Sequence, residues 1–190
     1  VDQSIENMQI FKKENHEYDV FFAASHGVGT SKLRNKNNLK EKYDPRVIFM
    51  KQLKNKSSNT KFRLFGMEGI HPVWANEFNN EISDCYMGIC LQREPLLKYG
   101  LSDRLAQYAG NGLMVFIQYE TMYNDLLTEN HEAVYFNDEN DLAKKINYFR
   151  ENKSEALNIA SNGHKKLHKN CNERVVTKYF IDCLNNPSKR

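Results

Sequence analysis

The chain has 190 residues, 40% of them hydrophobic and 12% aromatic, which is enough to bury a real core and too apolar for wholesale disorder. Its net charge of +3 is too small to imply nucleic-acid binding, and its lysines are mixed with acids as on ordinary solvated faces. No apolar run approaches the length of a membrane span and no signal-peptide pattern opens the chain, so a cytoplasmic location is expected.

Taken in order, residues 1–17 are charged and read as helical, a linker ahead of the folded unit. The folded unit spans 18–186. Tyr18 to Ala24 is short, apolar and aromatic, the pattern of a buried strand. A glycine turn, Ser25 to Thr30, and a basic, Asn-rich loop, Ser31 to Lys42, follow. Pro45 suits a first helical turn, where its missing N–H costs nothing. Val47, Ile48, Met50 and Leu53 give that helix an apolar side. Lys61 to Phe65 alternates polar and apolar and reads as a strand. Trp74 to Ile82 reads as a helix with Trp74, Phe78 and Ile82 on one side.

Further strands are expected over 86–91, 113–117 and 133–136, with a helix between the first two and a short helix over 122–127. Asp138 is a plausible N-cap, with Asp141 three residues on in the place of the usual Glu. Leu142, Ile146 and Phe149 carry a helical period, and two more helical regions run from Ser154 to His168 and from Glu173 to Leu184. Strands alternating with helices predict an α/β fold, a Rossmann-like parallel sheet with helices on both faces.

The most informative stretch is Ile89 to Ile117. An apolar run ends in a loop holding Arg93 and Lys98. A short amphipathic helix begins near Ser102 and closes on Gly110-Asn111-Gly112, and a second apolar run follows. Two fixed cations beside a helix N-terminus, at one end of a parallel sheet, form an arrangement suited to a diphosphate. Solvated loop cations are the plainer alternative.

These residues resemble the C-terminal, donor-binding half of a GT-B glycosyltransferase, in particular its group-1-like, CgeB-type branch. The resemblance rests on Arg93, Lys98, Ser102, Arg104, Gly110 and Gly112. It continues through Val134 to Phe136, Asp138 to Asp141 and Asn162-Gly163-His164, and covers Tyr18 to Leu184. It implies that residues 18–186 bind a nucleotide-diphosphate sugar, with Arg93, Lys98 and Ser102 at the diphosphate. It implies no metal cofactor, since protein cations and a helix terminus take that place. It also implies a second Rossmann-like domain, so the chain is expected to be half of a longer enzyme, with residues 1–17 the tail of the missing N-terminal domain. The acceptor would be a glycan, lipid or protein, and peripheral contact with a membrane stays open. A non-catalytic binding or scaffold module in glycan assembly is the alternative, and a nucleotide-sugar epimerase of the same fold a third.

Other candidates are weaker. Arg104, in the first turn of its helix, opposes the helix dipole unless Asp103 or a bound phosphate compensates. Gly27 and Gly29, with His26 beside them, follow the first strand, where a backbone can come close to a ligand or simply turn. Many group-1 members carry an E-x(7)-E pair whose second acid holds the ribose. Here those positions are Tyr99 and Gln107, and Glu120, after the next strand, is another acid at the same edge. Cys85, Cys90, Cys171 and Cys183 lack metal-ligand spacing and read as free, buried thiols in a reducing cytosol. His164 and His168, four apart, read as a surface pair rather than as metal ligands.

Overall fold

The computed structural model describes residues 1–24, 44–93, 95–100 and 103–186. The glycine turn with His26, Gly27 and Gly29, the polar loop to Lys42, and Ser102 lie outside the described residues.

Five strands form one sheet: β1 (Val20–Ala23), β2 (Phe62–Phe65), β3 (Met87–Cys90), β4 (Met114–Gln118) and β5 (Val134–Phe136). All pair in parallel, in the order β2-β1-β3-β4-β5. Each matches an expected strand. Among the described residues, six α-helices accompany them: α1 (Pro45–Lys56), α2 (Ala75–Ile82), α3 (Arg104–Asn111), α4 (Glu139–Glu151), α5 (Lys153–Cys171) and α6 (Glu173–Asn185).

The inner strands are buried on both faces, while Phe62 and Arg63 of the edge strand β2 are half-buried, and alternate side chains feed two cores. Val20, Phe22, Met87, Ile89, Met114 and Phe116 join residues of α1, α4 and early α5 in one. Phe21, Cys90, Val115, Ile117 and Tyr135 join Ile82 of α2, Leu105 and Tyr108 of α3, and Leu167 of late α5 in the other. Helix α5 thus spans both cores. The sheet is doubly wound, with its strand order reversing between β1 and β3.

Local chemistry explains the helix starts. Asp44 caps α1, accepting from the Arg46 N–H, with Pro45 in the first turn. Asp138 caps α4, accepting from the N–H groups of Asn140 and Asp141. The Asp141 carboxylate reaches back to the Asn137 N–H at 3.0 Å, a close relative of the expected capping box.

Four local expectations need correction. Residues 1–17 hold two short 3-10 turns, Gln3–Ile5 and Ile10–Lys12, rather than a helix. Ile5 and Ile10 are buried, so tertiary contacts decide this segment's shape. Residues 122–127 also lack an α-helix. Met122 sits at φ +56° between two 3-10 turns, Tyr119–Thr121 and Tyr123–Asp125, and a residue so placed cannot continue a right-handed helix. Trp74 does not join Ile82 in the core, because the helix starts after it and the residue is 55% exposed. Lastly, His164 and His168 are 3% and 5% exposed, so they are core residues rather than a surface pair. Their rings lie 4.4 Å apart. The Nε2 of each donates to a backbone carbonyl, that of Glu6 at 3.0 Å and that of Gly110 at 2.9 Å.

A groove at the strand reversal

Because the sheet is parallel, the carboxyl ends of all five strands lie along one edge, and the crevice between β1 and β3 opens there. Arg104 stands at that crevice. Its Nε donates to the Ala23 carbonyl at 3.0 Å and its Nη1 to the Leu91 carbonyl at 2.9 Å. One guanidinium therefore ties the end of β1 to the end of β3. The group also lies 5.5 Å above the Phe22 ring. Asp103 does not cap the helix with its side chain. Among the described residues, no carboxylate forms an ion pair with Arg104. The helix-dipole cost expected of a cation in this first turn is offset by two strand-end carbonyls.

One helical turn later, the buried Tyr108 completes the junction. Its hydroxyl accepts from the Ala23 N–H at 3.0 Å, so both polar groups of Ala23's backbone are met from α3. The Tyr108 ring stacks on Phe78 of α2 and meets Phe21 edge-on. Burial pushes its hydroxyl pKa up, which keeps the group neutral. On the far side of β1, Gly66 follows β2 at φ +72°, and a Cβ there would lie on the Ala24 carbonyl oxygen. Only glycine lets the chain leaving β2 pass that close.

The result is a groove of about 430 Å³, within the range of small-molecule sites. Ala23, Val73, Phe78 and Tyr108 give it an apolar floor. Trp74 and Asn79 line one side, Arg104 and Gln107 the other, and Asp2 and Ser4 of the N-terminal segment reach its margin.

Three other expected site residues, Arg93, Lys98 and Glu120, lie on the loops that follow β3 and β4 at the same edge. Arg93, 59% exposed, approaches Asp44 at 3.7 Å, where Asp44 already holds Arg46 in a buried pair. Lys98 pairs with Asp125 at 3.0 Å and lies over the Tyr99 ring. Bonds from Tyr99 and Lys98 hold the Asp125 carboxyl below its usual value. Glu120 is exposed in the 3-10 turn after β4. Of the seven residues expected at the site, the groove unites Arg104 and Gln107. Arg93, Lys98 and Glu120 stand on neighbouring loops, and Gly27 and Ser102 lie outside the described residues.

Hydrogen bonds hold the described residues of the loop after β3. The Gln92 N–H donates to Gln118 Oε1 at 2.7 Å, and Gln92 Oε1 accepts from the Leu97 N–H. Tyr99, at φ +54°, donates its N–H to the Thr121 carbonyl, accepts from the Tyr123 hydroxyl, and donates its own hydroxyl to Asp125. These bonds tie the cationic loop to the turns after β4.

Sequence reasoning missed Tyr108, Trp74 and Asn79 as groove residues. Tyr108 carried a signal, since it lies four residues after Arg104 and so on the same helical face. Trp74 carried none, because its apolar character argues for burial. The expected burial of the cysteines fails at Cys171, exposed at the end of α5, and at Cys183, half-buried on α6, a helix with no buried residue, and holds at Cys85 and Cys90. Burial pushes both up, Cys90 to about 12.

The fold is similar to that of several solved glycosyltransferases. Anabaena Alr3699/HepE, solved in complex with UDP and glucose, superposes with a TM-score of 0.63 at 12% identity. That match covers 98% of this chain and 53% of HepE, so the chain spans about half of that protein's length. TarM matches with a TM-score of 0.59 at 14% identity, over 90% of this chain and 36% of its own. The C-terminal domain of the group 1 family glycosyl transferase LpcC from Francisella tularensis matches at 0.55 and 14% identity, over 91% of this chain and 99% of that domain. No curated protein matches by sequence. The family model described as Glycosyl transferase-like matches residues 46–180. With that match over most of the chain, on a half-domain of the GT-B group-1 architecture, the chain belongs to the glycosyl transferase-like family.

Proposed function

We propose that this chain is the donor-binding half of a glycosyltransferase that moves a sugar from a nucleotide-diphosphate donor to a glycan, lipid or protein acceptor. The observation that carries the reading is Arg104. It is a cation fixed by two strand-end carbonyls at the point of strand reversal, it has no carboxylate partner among the described residues, and it faces a groove of nucleotide size. The likeness to a fold solved with UDP and glucose supports it.

The chemistry assigned here is electrostatic. As the bond from sugar to diphosphate breaks, negative charge grows on the departing oxygen. A guanidinium held in place beforehand stabilises that charge without reorganising. Arg93 and Lys98, on the loop after β3, add positive potential along the same edge. Gln107 offers an uncharged amide to a ribose hydroxyl. A complementary half would supply the acceptor site and any catalytic base.

Titration calorimetry of the chain with UDP, GDP and ADP tests the reading. Arg104→Met should weaken nucleotide binding roughly tenfold or more, the scale of a lost charge-assisted hydrogen bond. Arg104→Lys should keep part of the affinity while losing the two-carbonyl bridge. Absence of binding to every nucleotide, or affinity indifferent to both substitutions, would refute it. The neutral Gln107 in place of an acid favours a second reading, a non-catalytic module in glycan assembly. Nucleotide binding with no sugar transfer by the protein joined to its complementary half would select it.

A further inference from the structure

We infer that Trp74 is the stacking platform for the base of the nucleotide, placing the base at the α2 side of the groove and the phosphates at Arg104. The inference rests on the nucleotide reading of the groove and deepens it.

Three observations meet at this residue. Trp74 occupies the N-cap position of α2, where a side-chain acceptor normally satisfies free N–H groups, and it makes no capping bond. The next residue, Ala75, is held at φ +50°, in the left-handed region that a residue with a Cβ avoids. Local sequence and local backbone are thus both unfavourable at one short step. The side chain so placed is 55% exposed and lines the groove. A single exposed aromatic needs no explanation. One that is held out over a cleft by a strained backbone and a missing cap points to a ligand.

The surroundings suit a base. Ala75, Phe78 and Asn79 share one face of α2 and line the groove with Trp74. The Asn79 amide can both donate to and accept from a base edge. Phe78 and the buried Tyr108 make the floor apolar. Arg104 and Gln107 lie on the opposite side, where α3 begins. A planar, neutral group at Trp74 and an anion at Arg104 match the two ends of a nucleoside diphosphate.

Trp74 is also the chain's one tryptophan, so its emission reports on the site directly. UDP should change the emission of the unsubstituted chain, and uridine should do so at higher concentration. Pyrophosphate should bind without changing it. Trp74→Ala should weaken UDP about tenfold or more, the scale of a lost base–aromatic stack, and leave pyrophosphate affinity unchanged. Trp74→Phe should restore most of the UDP affinity. Thermal melts are expected to show both variants folded, since the side chain is exposed.

UDP binding seen by calorimetry with no change in emission, or with equal affinity for Trp74→Ala, would overturn the inference while leaving the nucleotide reading intact. So would a Trp74→Ala defect confined to UDP-glucose and absent with UDP, which would assign the platform to the sugar. No binding of any nucleotide overturns both.

Discussion

Gly163→Ala should destabilise the protein, against the usual sign for a helix. Gly163 lies inside α5, where replacing glycine with alanine ordinarily gains about 1 kcal/mol. Here a Cβ would come within 2.4 Å of the Glu132 carbonyl oxygen, in the turn before β5. Ordinary contact begins near 3.4 Å, so helix and turn would have to separate by about 1 Å. The obstacle is backbone and cannot rotate away. The helix cannot slide either, because Ala156, Ile159 and Ala160 are set in one core and Leu167 in the other. Overpacking of this kind costs about 2–3 kcal/mol. After the propensity gain, a net loss of about 1–2 kcal/mol remains. For a domain of this size that lowers Tm by about 3–6 °C. Gly110→Ala, in α3, is the control. Its Cβ would meet the ends of the Val1 and Ile5 side chains, which can turn aside, so its change should stay within about 1 kcal/mol of zero. Urea titration of the three proteins reads the difference. A Gly163→Ala variant as stable as the parent, or more so, would refute the close approach of α5 to Glu132.

Buried and half-buried polar groups set two further expected outcomes. Burial, with the neighbouring His168, pushes His164 below its ordinary value of 6.5, and burial does the same to His16. The folded chain therefore binds fewer protons than the unfolded one in this range. Stability should be full above pH 6.5 and fall as the pH drops through the lowered values, and urea midpoints that do not move between pH 7.5 and pH 5 would contradict this. Asp19 accepts from the Lys61 N–H at 2.8 Å, from Arg150 Nε at 3.0 Å and from the Tyr86 hydroxyl at 3.1 Å. Asp19→Ala should cost about 2–3 kcal/mol by denaturant unfolding, and a loss under about 0.5 kcal/mol would show that solvent replaces those bonds.

The elements of this fold were legible in the sequence because their signals are local. Short apolar runs such as Met87–Cys90 are buried on both faces, and the period of Leu142, Ile146 and Phe149 marks one side of a helix. The Asp138 cap is a matter of three residues. The site was legible only in part. Arg104 and Gln107 were candidates, but what gives Arg104 its meaning is the pair of carbonyls it holds, 81 and 13 residues away. No period encodes such contacts, nor the strand order that brings Ala23 and Leu91 together. The same holds for the histidine pair. His164 and His168 share a face of α5 by spacing, yet whether that face meets water or Glu6 depends on how residues 1–17 fold back.

Two of the places where sequence reasoning failed on local structure, Trp74 and residues 122–127, lie at or beside residues of positive φ. Among the described residues, five without glycine's freedom adopt positive φ: Glu68, Ala75, Tyr99, Met122 and Asn130. Each costs on the order of 1 kcal/mol. The first four follow the carboxyl ends of β2, β3 and β4, and Asn130 alone lies ahead of a strand. The strain is matched by restraint. Tyr99 is held through its N–H, its carbonyl and its hydroxyl, and the chain after β2 passes Ala24 so closely that position 66 must be glycine. A sheet edge that only connected strands could use relaxed turns. This edge fixes Trp74 and the cationic loop in conformations their own sequences disfavour, along the same rim as the Arg104 bridge. Such preorganisation is what a site needs if it is to stabilise a charge that appears only as a bond breaks.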